Sequence, residues 1–338
     1  MQDKRLAYID VAAGVMIVWM VLFHALGSGW EIEGGYTYPC LVFPYLHFFM
    51  PWFFYKSGFL FLRRNRDELI KKDAKKLLVP FVVWSLVGYV LYIIFAAWEG
   101  YFSLRGATIN IAHDFVLKGS IPVNEVLWFL LSLCIVRWIA NEILPKREDS
   151  WFAIKCGVII VICGIIIYLS YRFNHRLLPR WGANDFAGMA FFTIGYWLRD
   201  YESKWWLLIP CAIIYGVECV FGFTIVDMWP NRLMLGSYWL WIPTALCGIV
   251  VLNNICRIIC DGLHKYAPPP IRPRILECTA RNAMPIYVTH ALLIVLTSEI
   301  IMHVENSFVT SHATLIIIGV LVVMLPIVCV IWNKKVFQ

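Results

Sequence analysis

Two side chains in the first apolar stretch of the chain, RLAYIDVAAGVMIVWMVLFHAL (residues 5–26), are able to hold and move protons: Asp10 near one end and His24 near the other. Fourteen helical steps separate them, about 21 Å along the axis, and at roughly 100° per step both return to nearly the same face. Neither group has an energetic reason to face lipid, so this stripe is expected to face other helices or water. It is the first place to look for acid–base chemistry. A histidine that merely satisfies hydrogen bonds is the plainer reading of His24.

The second stretch, FPYLHFFMPWFFYKSGFLFLRR, contains His47, Lys56 and the pair Ser57–Gly58. An ammonium inside hydrocarbon needs a partner or a pathway, unless Lys56 snorkels toward the boundary only six residues away at Leu62. Seven cations then follow within fourteen residues: Arg63, Arg64, Arg66, Lys71, Lys72, Lys75 and Lys76. Such a run either enforces orientation in the membrane or also holds the phosphates of an anionic ligand. Further embedded polar groups are Glu125, Arg137 with Asn141 and Glu142, Glu218, and His290 with Glu299. Arg137 and Asn141 are four apart and share a helix face; pairing within the bundle is the plainer account of each of these groups, a role in the site the other.

The elements that must position these residues are membrane helices. With 61% apolar and 15% charged residues over 338 positions and a mean hydropathy of +0.71, a soluble core could not hide this surface. Windows long enough to cross ~30 Å of hydrocarbon fall near 8–27, 40–62, 77–98, 124–144, 151–170, 186–200, 205–224, 236–256, 283–301 and 313–333. The expected fold is therefore all-α, a polytopic membrane protein of about ten transmembrane helices forming one integral-membrane domain over residues 1–338. The sixth window is short and carries Gly188 and Gly195, where a tilt, a break or a position against the preceding loop is expected, with eight or nine spans as the alternative count. Four prolines in Tyr266–Arg274 predict an extended connection.

Twenty Lys and Arg fall on the side of the termini and six on the other, which predicts cytoplasmic N- and C-termini in the cell (inner) membrane, with His24 near the outer face. The net charge of +7 is explained by those loops, so nucleic acid is not an expected partner. Most of the eleven cysteines lie in apolar spans without metal-ligand spacing, and Cys256 and Cys260 have no companion histidine pair. They read as free thiols, and no metal site is expected.

Five segments in order resemble the acyltransferase 3 family of integral-membrane acyltransferases: RLAYIDVAAGVMIVWMVLFH, FFMPWFFYKSGFLF, KKLLVPFVVW, LWFLLSL and NAMPIYVTH. The resemblance spans most of the chain. It implies transfer of a short acyl group, acetyl above all, from cytoplasmic acyl-CoA (acetyl-CoA) to a hydroxyl or amine of a carbohydrate or other cell-envelope acceptor near the outer face, and it permits a homo-oligomer. In that setting His24 becomes the general base or a transient acyl carrier, since an imidazole titrating near ~6.5 is neutral at physiological pH. Asp10 orients the inner end of its helix. The run Arg63, Arg64, Lys71, Lys72, Lys75 and Lys76 would hold the donor, with Ser57, Arg137 and His290 as further candidates. The chain departs from the family where a cation is usual eleven positions before the histidine: here it has Ala13, about 20° from His24 on the helix. Lys56 is the candidate replacement. A transporter or export partner, and an acyltransferase-like subunit without activity, remain the alternatives on sequence.

Overall fold

The computed structural model describes residues 7–32, 46, 48–100, 102–120, 123–173, 180–202, 204–221, 226–229, 232–235, 238–266, 274–303, 317, 319 and 321. His47, most of the proline-rich connection and nearly all of the tenth window lie outside them. The chain divides into two compact units, one of residues 1–49, 203–222 and 246–338, the other of residues 50–202 and 223–245.

The first unit is built around α1 (Ala7–Ile32), with α9 (Trp205–Phe221), the greater part of α10 (Tyr238–Tyr266), α11 (Arg274–Arg281) and α12 (Ala283–His303). Helix α1 is buried on most of its circumference: Ile9, Val11, Ala12, Ala13, Met16, Ile17, Met20 and Val21 are all nearly inaccessible. Its small residues explain how. A Cβ on Gly14 would strike the backbone of Leu276, so α1 and α11 meet at main-chain distance, as small residues allow between membrane helices. Tyr8 lies under the Arg257 guanidinium at 4.3 Å, and Asn254 accepts from Arg257 at 3.1 Å, which ties α10 to the start of α1. Asn282 joins α11 to α12 by donating to the Cys278 carbonyl at 2.8 Å.

The second unit holds α2 (Phe49–Phe59), α3 (Arg66–Asp73), a π-helical turn (Ala74–Leu78), α4 (Val79–Trp98), α5 (Leu104–Lys118), α6 (Trp128–Ile143), α7 (Phe152–Arg172) and α8 (Arg180–Leu198). Helix α3 starts on Asn65, whose side chain accepts from the Asp67 N–H at 2.9 Å, a regular N-cap. It runs through the π turn into α4 without a break. Pro80 in the first turn of α4 lacks the N–H that would reach the Lys76 carbonyl and would crowd it in an α-helix, and the wider π turn relieves that clash.

The connection between Glu99 and Val123, which falls between two of the apolar windows, contains helix α5: Ser103 accepts from the Gly106 N–H at 3.3 Å and Gly119 closes the other end at φ 68°. Both ends are regular helix signals that low hydropathy hides. Of the alternatives expected for the sixth window, the break is corrected. Helix α8 is continuous, because its glycines are contact points: a Cβ on Gly188 would strike the Phe54 ring and one on Gly195 the Tyr55 carbonyl, while one on Gly58 would strike the Phe192 carbonyl. Between α6 and α7, Lys155 and then the Trp151 N–H hold the Asp149 carboxyl below its ordinary range.

A short antiparallel hairpin, β1 (Val226–Trp229) with β2 (Arg232–Leu235), pairs Val226 with Leu235 and Trp229 with Arg232. The architecture remains all-α around this small addition, and eight strand residues are too few to add a span. Six helical stretches among the described residues are long and apolar enough to cross a membrane: Ala7–Ala25, Arg66–Trp98, Glu125–Ile143, Phe152–Ser170, Trp241–Gly262 and Ala283–Ile301. Outward residues such as Val83, Leu86, Val90 and Ile94 on α4, and Ile154, Val161 and Ile165 on α7, are about half exposed. Such continuous apolar faces suit lipid and not water, and the chain is a multi-pass membrane protein.

Candidate functional site

In the first unit the structure brings together two histidines from distant stretches. His24, on the buried helix α1, is itself partly exposed. Its ring centre lies 5.3 Å from that of His290 on α12, and the Phe23 ring meets it edge-on at 5.3 Å. His290 is 2% exposed. Its Nδ1 lies 2.7 Å from the Tyr287 carbonyl and 3.2 Å from that of Ile286. Carbonyls only accept, so Nδ1 carries the proton and Nε2 is left with a bare lone pair in the neutral ring. No group among the described residues donates to Nε2. This is an aromatic-walled, mostly dry corner with two imidazoles in it, able to take up and return one proton.

Asp10 is buried toward the other end of α1, as the helix arithmetic requires, and does not touch the histidines. Ala13 has no accessible surface. It stands beside Gly14 at the closest approach of α1 and α11, so the position where a cation would stand on this stripe is filled by packing.

The second unit collects the other predicted residues around the base of α6. Arg137 donates through Nε to Asp73 at 2.8 Å and through Nη1 to Ser57 Oγ at 3.2 Å, so Ser57 is held by a guanidinium. Arg63 donates to the Asn141 and Leu144 carbonyls at 2.8 and 3.2 Å, capping the last turn of α6, where cations are favoured. The Arg64 backbone exchanges two hydrogen bonds with the Asn141 amide, both at 3.1 Å. These contacts satisfy the helix end and leave Arg63 less free for a ligand than its sequence position suggests. Lys71, Lys75 and Lys76 are exposed and Lys72 is half-buried; the charges of Arg64, Lys76, Arg137 and Asp73 act on Lys72. Lys56 lies over the Trp52 ring at 5.4 Å, one turn back on its own helix.

Three residues of weight escape sequence reasoning. Asp73 is one of three acids inside the basic run, with Asp67 and Glu68, and its pairing with Arg137 becomes visible only when α3 and α6 are side by side. Asn282 is the first residue of NAMPIYVTH, and its role as the α11–α12 joint depends on a helix that hydropathy does not show. Asp185 on α8 accepts from the Ser132 hydroxyl; a carboxylate near the start of a span was the available signal. Among the described residues no three His, Cys, Asp or Glu side chains are grouped as metal ligands.

The sequence model of an acyltransferase domain matches residues 6–333 of this chain. No curated protein and no solved structure matches it. The match runs from the stretch that carries Asp10 and His24 through the one that carries His290 and covers nearly the whole length, and on that ground the chain belongs to the acyltransferase 3 family and is an acyltransferase enzyme.

Proposed function

We propose that this enzyme transfers a short acyl group, acetyl, from cytoplasmic acyl-CoA to a hydroxyl or amine of a cell-envelope glycan near the outer face. The observation that carries the reading is His24: a partly exposed imidazole between the buried Phe23 and Ala25, in a chain of an acyltransferase family. His24 takes the proton of the acceptor's hydroxyl or amine as that oxygen or nitrogen attacks the thioester carbonyl. The carbon–sulfur bond breaks, and the thiolate leaves with the proton returned by the imidazolium. Asp10 keeps its helix end in place. Lys56 supplies the positive charge that Ala13 does not.

The donor's phosphates are held by Arg64, Lys71, Lys72, Lys75 and Lys76, with Arg63 shared between this task and the α6 terminus; charge-assisted contacts of this kind are the strong ones. The reading includes one integral-membrane domain over residues 1–338, about ten spans in the cell (inner) membrane and both termini in the cytoplasm, supported by the twenty-to-six bias of cations. The test is incorporation of label from radioactive acetyl-CoA into the glycan fraction of envelope vesicles containing the full chain. Wild type is expected to label that fraction and His24→Ala, inserted at normal levels, is not. Equal labelling by the variant removes His24 from the mechanism, and no labelling or hydrolysis by wild type favours a transporter.

A further inference from the structure

We infer that His290 is the positioning partner of His24: the bare Nε2 of His290 accepts the ring N–H of His24, and the other His24 nitrogen thereby keeps its lone pair for the acceptor's hydroxyl or amine. This rests on the reading of His24 as the general base. Three observations carry it. The two carbonyls of Tyr287 and Ile286 anchor Nδ1–H and so leave one tautomer of His290. That tautomer points an unpartnered, buried acceptor out of α12, and a buried acceptor without a donor carries an uncompensated desolvation cost. The ring that lies 5.3 Å away, tilted by 46°, is His24.

The outer ring torsion of histidine is broad, and rotation of His24 about it turns a ring nitrogen toward Nε2. The hydrogen bonds then run in one direction, from the nucleophile to His24, from His24 to His290, and from His290 to the α12 main chain. When His24 gains the nucleophile's proton, its second N–H already has a neutral acceptor, so the imidazolium is stabilised without any movement of protons between the rings. The proton count is unchanged: one proton leaves the nucleophile, rests on His24 and departs with the thiolate. The titratable ring beside His24 is that of His290. Tyr287 touches His290 with its ring centre at 5.9 Å. Asp10 stands fourteen residues down α1, and Glu277 follows Leu276, which packs on Gly14 ten residues below His24. Glu299 is nine residues on in α12, and Arg257 is at Tyr8.

The experiment uses the full chain in envelope vesicles with labelled acetyl-CoA, over a range of pH. His290→Phe keeps the ring and removes the acceptor; it is expected to lower kcat by about tenfold or more, to leave the acetyl-CoA KM unchanged and to move the acid limb of the profile to lower pH, because the His24 imidazolium has lost its acceptor. His290→Gln offers a side-chain oxygen in place of Nε2 and is expected to return the acid limb to its wild-type position with partial recovery of rate. A His290→Phe enzyme at wild-type rate, or one that is slower with the acid limb in place, overturns the pairing, as does a Gln variant no better than Phe. Should neither variant insert, solid-state 15N spectra of the histidines in the unmodified chain decide: a hydrogen-bonded Nε2 on the Nδ1–H tautomer supports the pair, and a free Nε2 overturns it. The underlying reading fails separately. If His24→Ala is active, the general base is lost; if it is inactive while His290→Phe leaves the acid limb in place, only the pairing is lost.

Discussion

Arg137 in α6 and Asp73 at the end of α3, 64 residues apart, form a 2.8 Å ion pair in which the carboxylate side chain is 3% exposed. A buried pair of this kind is easy to damage from one side, because the partner left behind is an uncompensated charge. Arg137→Met is expected to destabilise the enzyme by about 3–5 kcal/mol. Asp73→Asn with Arg137→Met should recover a large part of that loss. Thermal unfolding of the detergent-solubilised protein checks both, and equal stabilities of the single and double variants would show that the charge of Asp73 is met by another group.

The contact between α2 and α8 depends on hydrogen in place of methyl. Gly58 faces the Phe192 carbonyl and Gly195 faces that of Tyr55, so each alanine would push two backbones apart. Gly58→Ala and Gly195→Ala are each expected to cost about 1–3 kcal/mol. Gly157→Ala on α7, where a Cβ meets open space, should stabilise or leave unchanged by comparison. The same unfolding measurement tests the contrast.

The basic run separates into two groups with different expected phenotypes. Neutralising Lys71, Lys72, Lys75 and Lys76 is expected to raise the KM for acetyl-CoA more than it lowers kcat, each well-formed contact to a phosphate being worth about 1.5–3 kcal/mol. Arg63→Ala frees the α6 carbonyls and should lower thermal stability as well. An unchanged KM in the four-lysine variant assigns the lysines to membrane orientation alone.

At Ala13 close packing leaves no room for a cation. Lys56→Met is expected to lose activity if Lys56 supplies the cation, but adding Ala13→Arg should not restore it, since position 13 has no accessible surface and adjoins the Gly14–Leu276 backbone contact. A long charged side chain there must open α1 from α11. A stable and active double variant would show that the stripe has room for a cation after all.

Orientation is open to direct test with cysteines placed at two exposed positions, Asp67 and His113, after removal of the native thiols. An impermeant thiol reagent applied from outside should label position 113 and spare position 67. The reverse pattern would turn the proposed topology over and put His24 at the cytoplasmic face.

What sequence alone decides here is what the solvent decides. Apolar length determines which stretches are membrane helices, because a backbone in lipid must satisfy itself, and the stripe through Asp10 and His24 follows from helical period alone. The motif order was also sufficient to recognise the family. Partnership was not legible. Nothing in the spacing of Arg137 says that it meets Asp73 and not Asn141, and nothing near His290 says that its Nδ1 is tied down while its ring lies 5.3 Å from that of His24 across 266 residues of chain. The glycines of α8 read as breaks because a missing side chain lowers local preference for helix; the neighbouring backbones turn the same absence into contact. Tertiary packing decides these points, since a side chain's hydrogen-bond partner and its available volume are properties of the neighbours, and in this chain the neighbours come from distant sequence.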